Sequence, residues 1–270
     1  VILGPMAVFY VVEDWVLFSL GILILLGISL TLRKTLPSYW HQVQLFLNIG
    51  SVREGERILL DGLPWQVDQI NFFCILVNPI ADLKQRVSIS DLVGQKSRPG
   101  RQDEPWFPCR KGDWVLLSSG VRGKVIGISS EFVQLVERGG SQVTYLMSDF
   151  LSSSPRNLAT NFRIKETIGL SYTLQHEITT TILETLNQYI HQQMHIEGYG
   201  EQLLNLRVEF ERANDSSMDL VVIADFRGEL GDLYNRLRRA IQRWCVDACS
   251  ENNWQIPFPQ LVIHGTNNSA

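Results

Sequence analysis

From Trp15 to Leu32 the chain runs WVLFSLGILILLGISLTL without a single charged residue. That length approaches the ~20 apolar residues that cross a bilayer core, and it predicts a membrane-spanning helix. A buried helix in a soluble core is the alternative, but such helices carry charge on an outer face. Glu13 and Asp14 precede the run, while Arg33 and Lys34 follow it. The positive-inside bias therefore places everything after Leu32 in the cytoplasm, with Trp15 as an interfacial anchor. The apolar stretch from Val1 to Val12 opens without a basic region or a cleavage site. It reads as the end of an earlier helix in a longer, multi-pass chain. Pro37 predicts the end or a kink of the span, and Tyr39 to Ile49 then reads as an amphipathic, interfacial segment.

Beyond Gly50 the pattern changes to short β-branched and aliphatic runs broken by Gly, Ser and Asp, which predicts small antiparallel sheets or barrels. One run opens Arg53-Glu54-Gly55-Glu56-Arg57-Ile58-Leu59-Leu60, and a second opens Arg110-Lys111-Gly112-Asp113-Trp114-Val115-Leu116-Leu117. The correspondence continues through Trp65 to Ile70 against Gly123 to Ile128, and closes with Ser90-Asp91-Leu92 against Ser148-Asp149-Phe150. Spacing alone is equally compatible with common ancestry of the two copies and with two generic β domains. The polar, turn-rich stretch from Ser97 to Pro105 reads as the linker between them.

Past Pro155 the pattern turns to alternating strand and helix. A strand is expected over Ile164 to Tyr172, and a helix over Leu174 to about Met194 with Ile178, Ile182, Leu186 and Ile190 on its buried face. Strands follow over Leu203 to Phe210 and Leu220 to Phe226. A second helix over Leu230 to Cys249 buries Leu233, Leu237, Ile241 and Trp244, and the module is β-α-β-β-α. Two prolines, Pro257 and Pro259, then give a stiff, extended entry to an apolar terminal strand that one chain offers little to pair with.

Composition removes several function classes. Net charge is −4, so no global basic field favours nucleic acid. The four cysteines, Cys74, Cys109, Cys245 and Cys249, are too few for a disulfide scaffold and suggest a reducing compartment; Cys245 and Cys249, four apart, read as buried free thiols rather than metal ligands. His191 and His195 lie four apart with no accompanying carboxylate motif, so a solvated helix end is preferred to a metal site. Gly120-Val121-Arg122-Gly123 resembles a backbone-clamping loop of RNA-binding domains, and a β-turn explains it more simply. No phosphate loop, nucleophile elbow or paired-carboxylate constellation is present. Neither an enzyme, a cofactor nor a resident metal is expected.

The order of a membrane helix, a β domain opening Arg110-Lys111-Gly112-Asp113, an α/β module and a tail with Ile256-Pro257-Phe258-Pro259-Gln260 resembles the small-conductance mechanosensitive channel (MscS-like) family. The resemblance covers about Cys109 to His264 and leaves Val52 to Ser97 as an additional β domain. It implies a membrane α-helix, two Sm-like β barrels and a C-terminal α+β domain with a terminal strand. The segments are then membrane helices (residues 1–50), first β domain (51–97), linker (98–108), second β domain (109–156), α+β domain (157–254) and terminal strand (255–270). It further implies a homoheptamer in a bacterial inner membrane, with lipid, ions and small solutes as partners and opening under tension. A pore-lining face through Leu20, Gly21, Ile24, Gly27 and Thr31 follows, as does a bottom barrel from Pro257, Phe258, Pro259, Gln260, Leu261 and Ile263. Counting back from Gly55, the family's two constricting leucines fall on Gly27 and Thr31, neither of which is leucine. A non-conducting membrane assembly whose extra β domain recruits a partner is the alternative, and an RNA-binding protein is a third.

Overall fold

The computed structural model describes residues 15–259, except the side chains of Lys34 and Ser38. The chain divides into two compact units between Arg110 and Lys111.

The first unit begins with α1 (Trp15–Phe46), a 32-residue helix with Pro37 inside it. The helix does not end at Pro37, and the segment from Tyr39 continues it rather than forming a separate helix. A proline removes one ladder bond, whereas unwinding an apolar helix would free several backbone groups at greater cost. Four strands follow, β1 (Arg57–Leu60), β2 (Leu63–Ile70), β3 (Phe73–Asn78) and β4 (Leu83–Ser88), paired antiparallel in chain order. A one-turn helix, α2 (Ile89–Leu92), is started by a capping box between Ser88 and Asp91. Alternation along β2 and β3 buries Leu63, Trp65, Val67, Cys74 and Leu76 on one face.

The polar stretch after α2 packs on this sheet. Arg98 exchanges backbone bonds of 2.8 and 2.9 Å with Arg57, and Glu104 bridges the guanidinium groups of Arg57 (3.2 Å) and Arg98 (2.7 Å). Those cations hold the Glu104 carboxyl below its ordinary range, chiefly through the Arg98 hydrogen bond. Arg57 also covers the Trp106 ring at 4.6 Å, and buried Asn78 donates to the Pro64 and Trp106 carbonyls at 3.0 and 2.9 Å.

The second unit opens with β5 (Trp114–Leu116), β6 (Arg122–Ile128), β7 (Phe132–Glu137) and β8 (Gln142–Leu146), then α3 (Met147–Ser152) and β9 (Arg156–Asn157). Their order is β8-β7-β6-β5-β9. The two sheets share fine detail. Gly55 N–H donates to the Val67 carbonyl (2.7 Å) and Gly112 N–H to that of Val125 (2.8 Å), and both glycines have positive φ, the backbone state that suits glycine at a strand entry. The second strand of each sheet carries a bulge at the matching place, between Val67 and Gln69 and between Val125 and Gly127.

Neither sheet closes, which overturns the expectation of Sm-like barrels. Closure needs the first strand to pair with the last. Here the free edge of β1 is taken by Arg98, and the free edge of β5 by β9 through Val115–Asn157 and Leu116–Arg156. The edges are covered by following chain rather than by barrel closure.

The remainder is the β-α-β-β-α module. Its elements are β10 (Asn161–Leu170), α4 (Thr181–Ile196), β11 (Leu203–Ala213), β12 (Met218–Arg227) and α5 (Tyr234–Glu251). The sheet order is β10-β12-β11, all antiparallel. Leu220, Val222, Ala224 and Phe226 of the central strand meet Ile182, Leu186, Ile190 and Met194 of α4, together with Leu237, Ile241 and Trp244 of α5, in one core. β10 ends at Leu170, earlier than expected, because Ser171 caps a short 3-10 turn at Tyr172–Leu174. α4 starts only at Thr181, with Thr180 at its N-cap.

On the face away from the helices, Arg163 grips Asp225 with two bonds of 2.6 and 2.8 Å. Asp225 sits below its usual carboxyl range, first because of Arg163 and also through Asn205. Burial alone would raise Asp219, but bonds from Ser217, Arg212 and Asn214 outweigh it and leave that group lowered too. Depressed carboxyl pKa values stabilise the fold above the unfolded value of about 3.9, and this stability is lost as pH falls through the folded values. Unfolding midpoints measured from pH 6 to 3 should therefore drop below about pH 4, and Asp225→Asn should flatten the drop. Equal slopes in the two proteins would deny the ion pair that role.

Candidate membrane helix and its junction with the first sheet

α1 is the one helix among the described residues long and apolar enough to cross a membrane, and its apolar window is wholly unburied. Leu20, Gly21, Ile24, Gly27 and Thr31 recur at helical spacing and so share one face. Leu20 and Ile24 are half exposed, and a Cβ at Gly27 would meet nothing within 4 Å. The hydroxyl of Thr31 donates back to the Gly27 carbonyl at 2.9 Å, so it is satisfied within the helix, as is that of Ser19 on the Val16 carbonyl at 2.9 Å. From Trp15 to Arg53 the sequence carries Arg33, Lys34 and Arg53 and no acidic residue, as suits a segment beside an anionic leaflet.

The last turns of α1 join the first sheet. Leu45 is 2% exposed, and the Phe46 ring lies 6.0 Å from that of Phe72 at the β2–β3 hairpin. A cleft of about 340 Å³ at this join is lined by His41, Gln44, Leu45, Gly50, Val93 and Lys96, among others. Phe72 is 84% exposed, and Leu59 and Phe73 are also exposed.

In the second unit, the β5–β9 sheet meets the β-α-β-β-α module at a seat that sequence reasoning missed. Arg122 is 8% exposed. It lies over the Trp114 ring at 4.9 Å and donates to the Gly231 and Asp232 carbonyls at 2.9 and 2.8 Å. Leu158 N–H donates to the Trp114 carbonyl at 2.9 Å, and Gly228 N–H to that of Thr160 at 2.8 Å. The clamping-loop alternative for Gly120–Gly123 gives way to a β-turn, with Gly120 N–H on the Leu117 carbonyl and Arg122 already in β6.

A second missed feature is Glu166, which is 8% exposed on the inward side of β10. It accepts from Arg238 and, at 2.9 Å, from Gln242 of α5. Its signal was available: in the alternation Phe162, Ile164, Glu166, Ile168, Leu170, a carboxylate occupies a core position.

The other candidates separate. Cys245 and Cys249 are free and buried as expected, and Cys74 and Cys109 are free and buried as well. Burial pushes the Cys74 and Cys249 thiols up to about 11 and that of Cys245 to about 12. His191 and His195 sit exposed on α4 with rings 4.7 Å apart. Among the described residues no group of three or more His, Cys, Asp or Glu could hold a metal. Pro257, Phe258 and Pro259 lie in irregular chain beyond α5, Phe258 at 83% exposure, and the segment is tied in by Ser171 N–H on the Gln255 carbonyl at 2.9 Å. Gln260, Leu261 and Ile263 lie outside the described residues.

No family model matches the chain. No curated protein matches it either. Among solved structures, it is similar to the closed state of Helicobacter pylori MscS at 13% identity and a TM-score of 0.33, over 95% of this chain and 75% of that one. It is also similar to Arabidopsis thaliana MSL1 at 17% identity and a TM-score of 0.37, over 57% of this chain and 54% of that one. Both likenesses are weak.

Proposed function

We propose that this chain is the membrane-proximal and cytoplasmic part of a mechanosensitive channel of the small-conductance type. In this reading it self-associates, as a heptamer, around the α1 face of Leu20, Gly21, Ile24, Gly27 and Thr31 in a bacterial inner membrane. Tension separates the helices and releases ions and small solutes, while the β sheets and the β-α-β-β-α module hang in the cytoplasm. The observation that carries the reading is a helix whose apolar window is wholly unburied, in one chain with compact β and α/β units that bury their own cores. A helix so exposed needs lipid or other copies of itself as its solvent. The matched strand entries and bulges of the two sheets support their origin by duplication.

A non-conducting assembly is the second reading. It is favoured by Gly27 and Thr31 standing where constricting leucines are expected and by the exposed Leu59, Phe72 and Phe73 on the additional β domain, a surface suited to a partner. Patch recording from a channel-free host expressing the full protein separates the two. Tension-evoked, stepwise currents are expected from the channel. Patches that stay silent up to rupture, with the protein in the membrane, would leave only the assembly.

A further inference from the structure

A cleft of about 410 Å³ opens between β10 and α5, lined by Glu166, Asn235, Arg238, Arg239 and Gln242. Asn235, Arg238, Arg239 and Gln242 stand at i, i+3, i+4 and i+7 and so form one stripe of the helix. Glu166 is nine-tenths buried and spends its carboxylate on the Nε of Arg238 and the amide of Gln242. The Gln242 amide is held a second time by the Thr167 carbonyl at 3.1 Å. Arg238 is thereby fixed through Nε, and the terminal nitrogens of its fork remain as donors, the arrangement that suits a bidentate oxyanion.

The charge around the cleft is unbalanced. Among the residues that line it, Arg238 and Arg239 stand against Glu166 alone, an excess of one positive charge in a chain whose net charge is −4. A volume in the few-hundred-Å³ range is that of a small-molecule site rather than of a single ion.

We infer that the β10–α5 cleft binds a phosphorylated small molecule, with the guanidinium groups of Arg238 and Arg239 on the phosphoryl oxygens and the amides of Asn235 and Gln242 beside them. Such a ligand would tie β10 to α5 in the same unit whose loop Arg122 holds, so occupancy would stiffen the cytoplasmic module.

Inorganic pyrophosphate is the probe, titrated calorimetrically into the full chain in detergent at constant ionic strength. Saturable binding is expected. Arg239→Gln should weaken it about tenfold or more, the usual consequence of losing a charged hydrogen bond. Arg207→Gln makes the same charge change on β11, away from the cleft, and should leave affinity within about twofold. Heat that chloride or sulfate reproduces at matched ionic strength would overturn the assignment. So would equal weakening by the two variants, or no binding at millimolar pyrophosphate.

Discussion

A Gly228→Ala chain is expected to lose about 4 kcal/mol or more of stability, at the far end of single-substitution effects. A Cβ built on Gly228 would lie 1.8 Å from the carbonyl oxygen of Ala159 and 2.1 Å from its carbon. Both are backbone atoms, so no rotamer change relieves the overlap. The chain would have to part where Gly228 N–H meets the Thr160 carbonyl, and that crossing seats the end of β12 against the start of β10. Gly231, three residues on and buried, is the internal control. A Cβ there would meet Trp114 and Leu158 at 3.4 to 3.6 Å, ordinary contact, so Gly231→Ala should change stability by less than about 1 kcal/mol. Urea denaturation of the two variants by tryptophan fluorescence separates the cases. Two equal and small losses would mean that the close crossing at Gly228 is not a constraint.

Much of the fold was legible because it is written in local periodicity. Ile182, Leu186 and Ile190 on α4, and Leu237, Ile241 and Trp244 on α5, recur at helical spacing and are all buried. The β-α-β-β-α order follows from those helices and the strands between them. The turn at Gly120 also carried its signal, a glycine at positive φ. What was not legible depends on residues distant in sequence. Whether a small sheet closes is decided by what reaches its edge strands, and here Arg98 and the β9 pair arrive first. No window of residues around β1 or β5 contains that information. The helix running on through Pro37 has a related reason. The proline's local preference is real, but it competes with the backbone cost of opening an apolar helix.

The long apolar helix could be read directly, since eighteen uncharged residues predict it and α1 spans them. The junction in the second unit was less accessible. Arg122 sits in a Gly-Val-Arg-Gly stretch that reads as an exposed turn, and only the return of the chain at Gly231 and Asp232, more than a hundred residues later, buries it.

Arg122→Ala is the second large effect, a loss of about 3 kcal/mol, in line with hydrogen bonds from a charged donor plus a lost aromatic contact. The guanidinium does three things at once: it covers Trp114, it satisfies the Gly231 and Asp232 carbonyls, and it carries a charge away from water without a bonded carboxylate. The third opposes the other two, because burial and the cations of Arg138 and Arg239 disfavour the charged form. Arg122→Met keeps an apolar stem over Trp114 and relieves the repulsion, yet leaves both carbonyls unmet, so its loss should be smaller, about 1 to 2 kcal/mol. Equal losses in the two variants would mean that the carbonyl bonds, not the ring contact, hold the seat. A stable Arg122→Ala protein would mean that Leu158 and Trp114 suffice. Gly228 and Arg122 grip the two ends of one loop, so their effects should not add. The double variant should fall short of the sum by more than about 0.5 kcal/mol, the mark of residues that share a structural element.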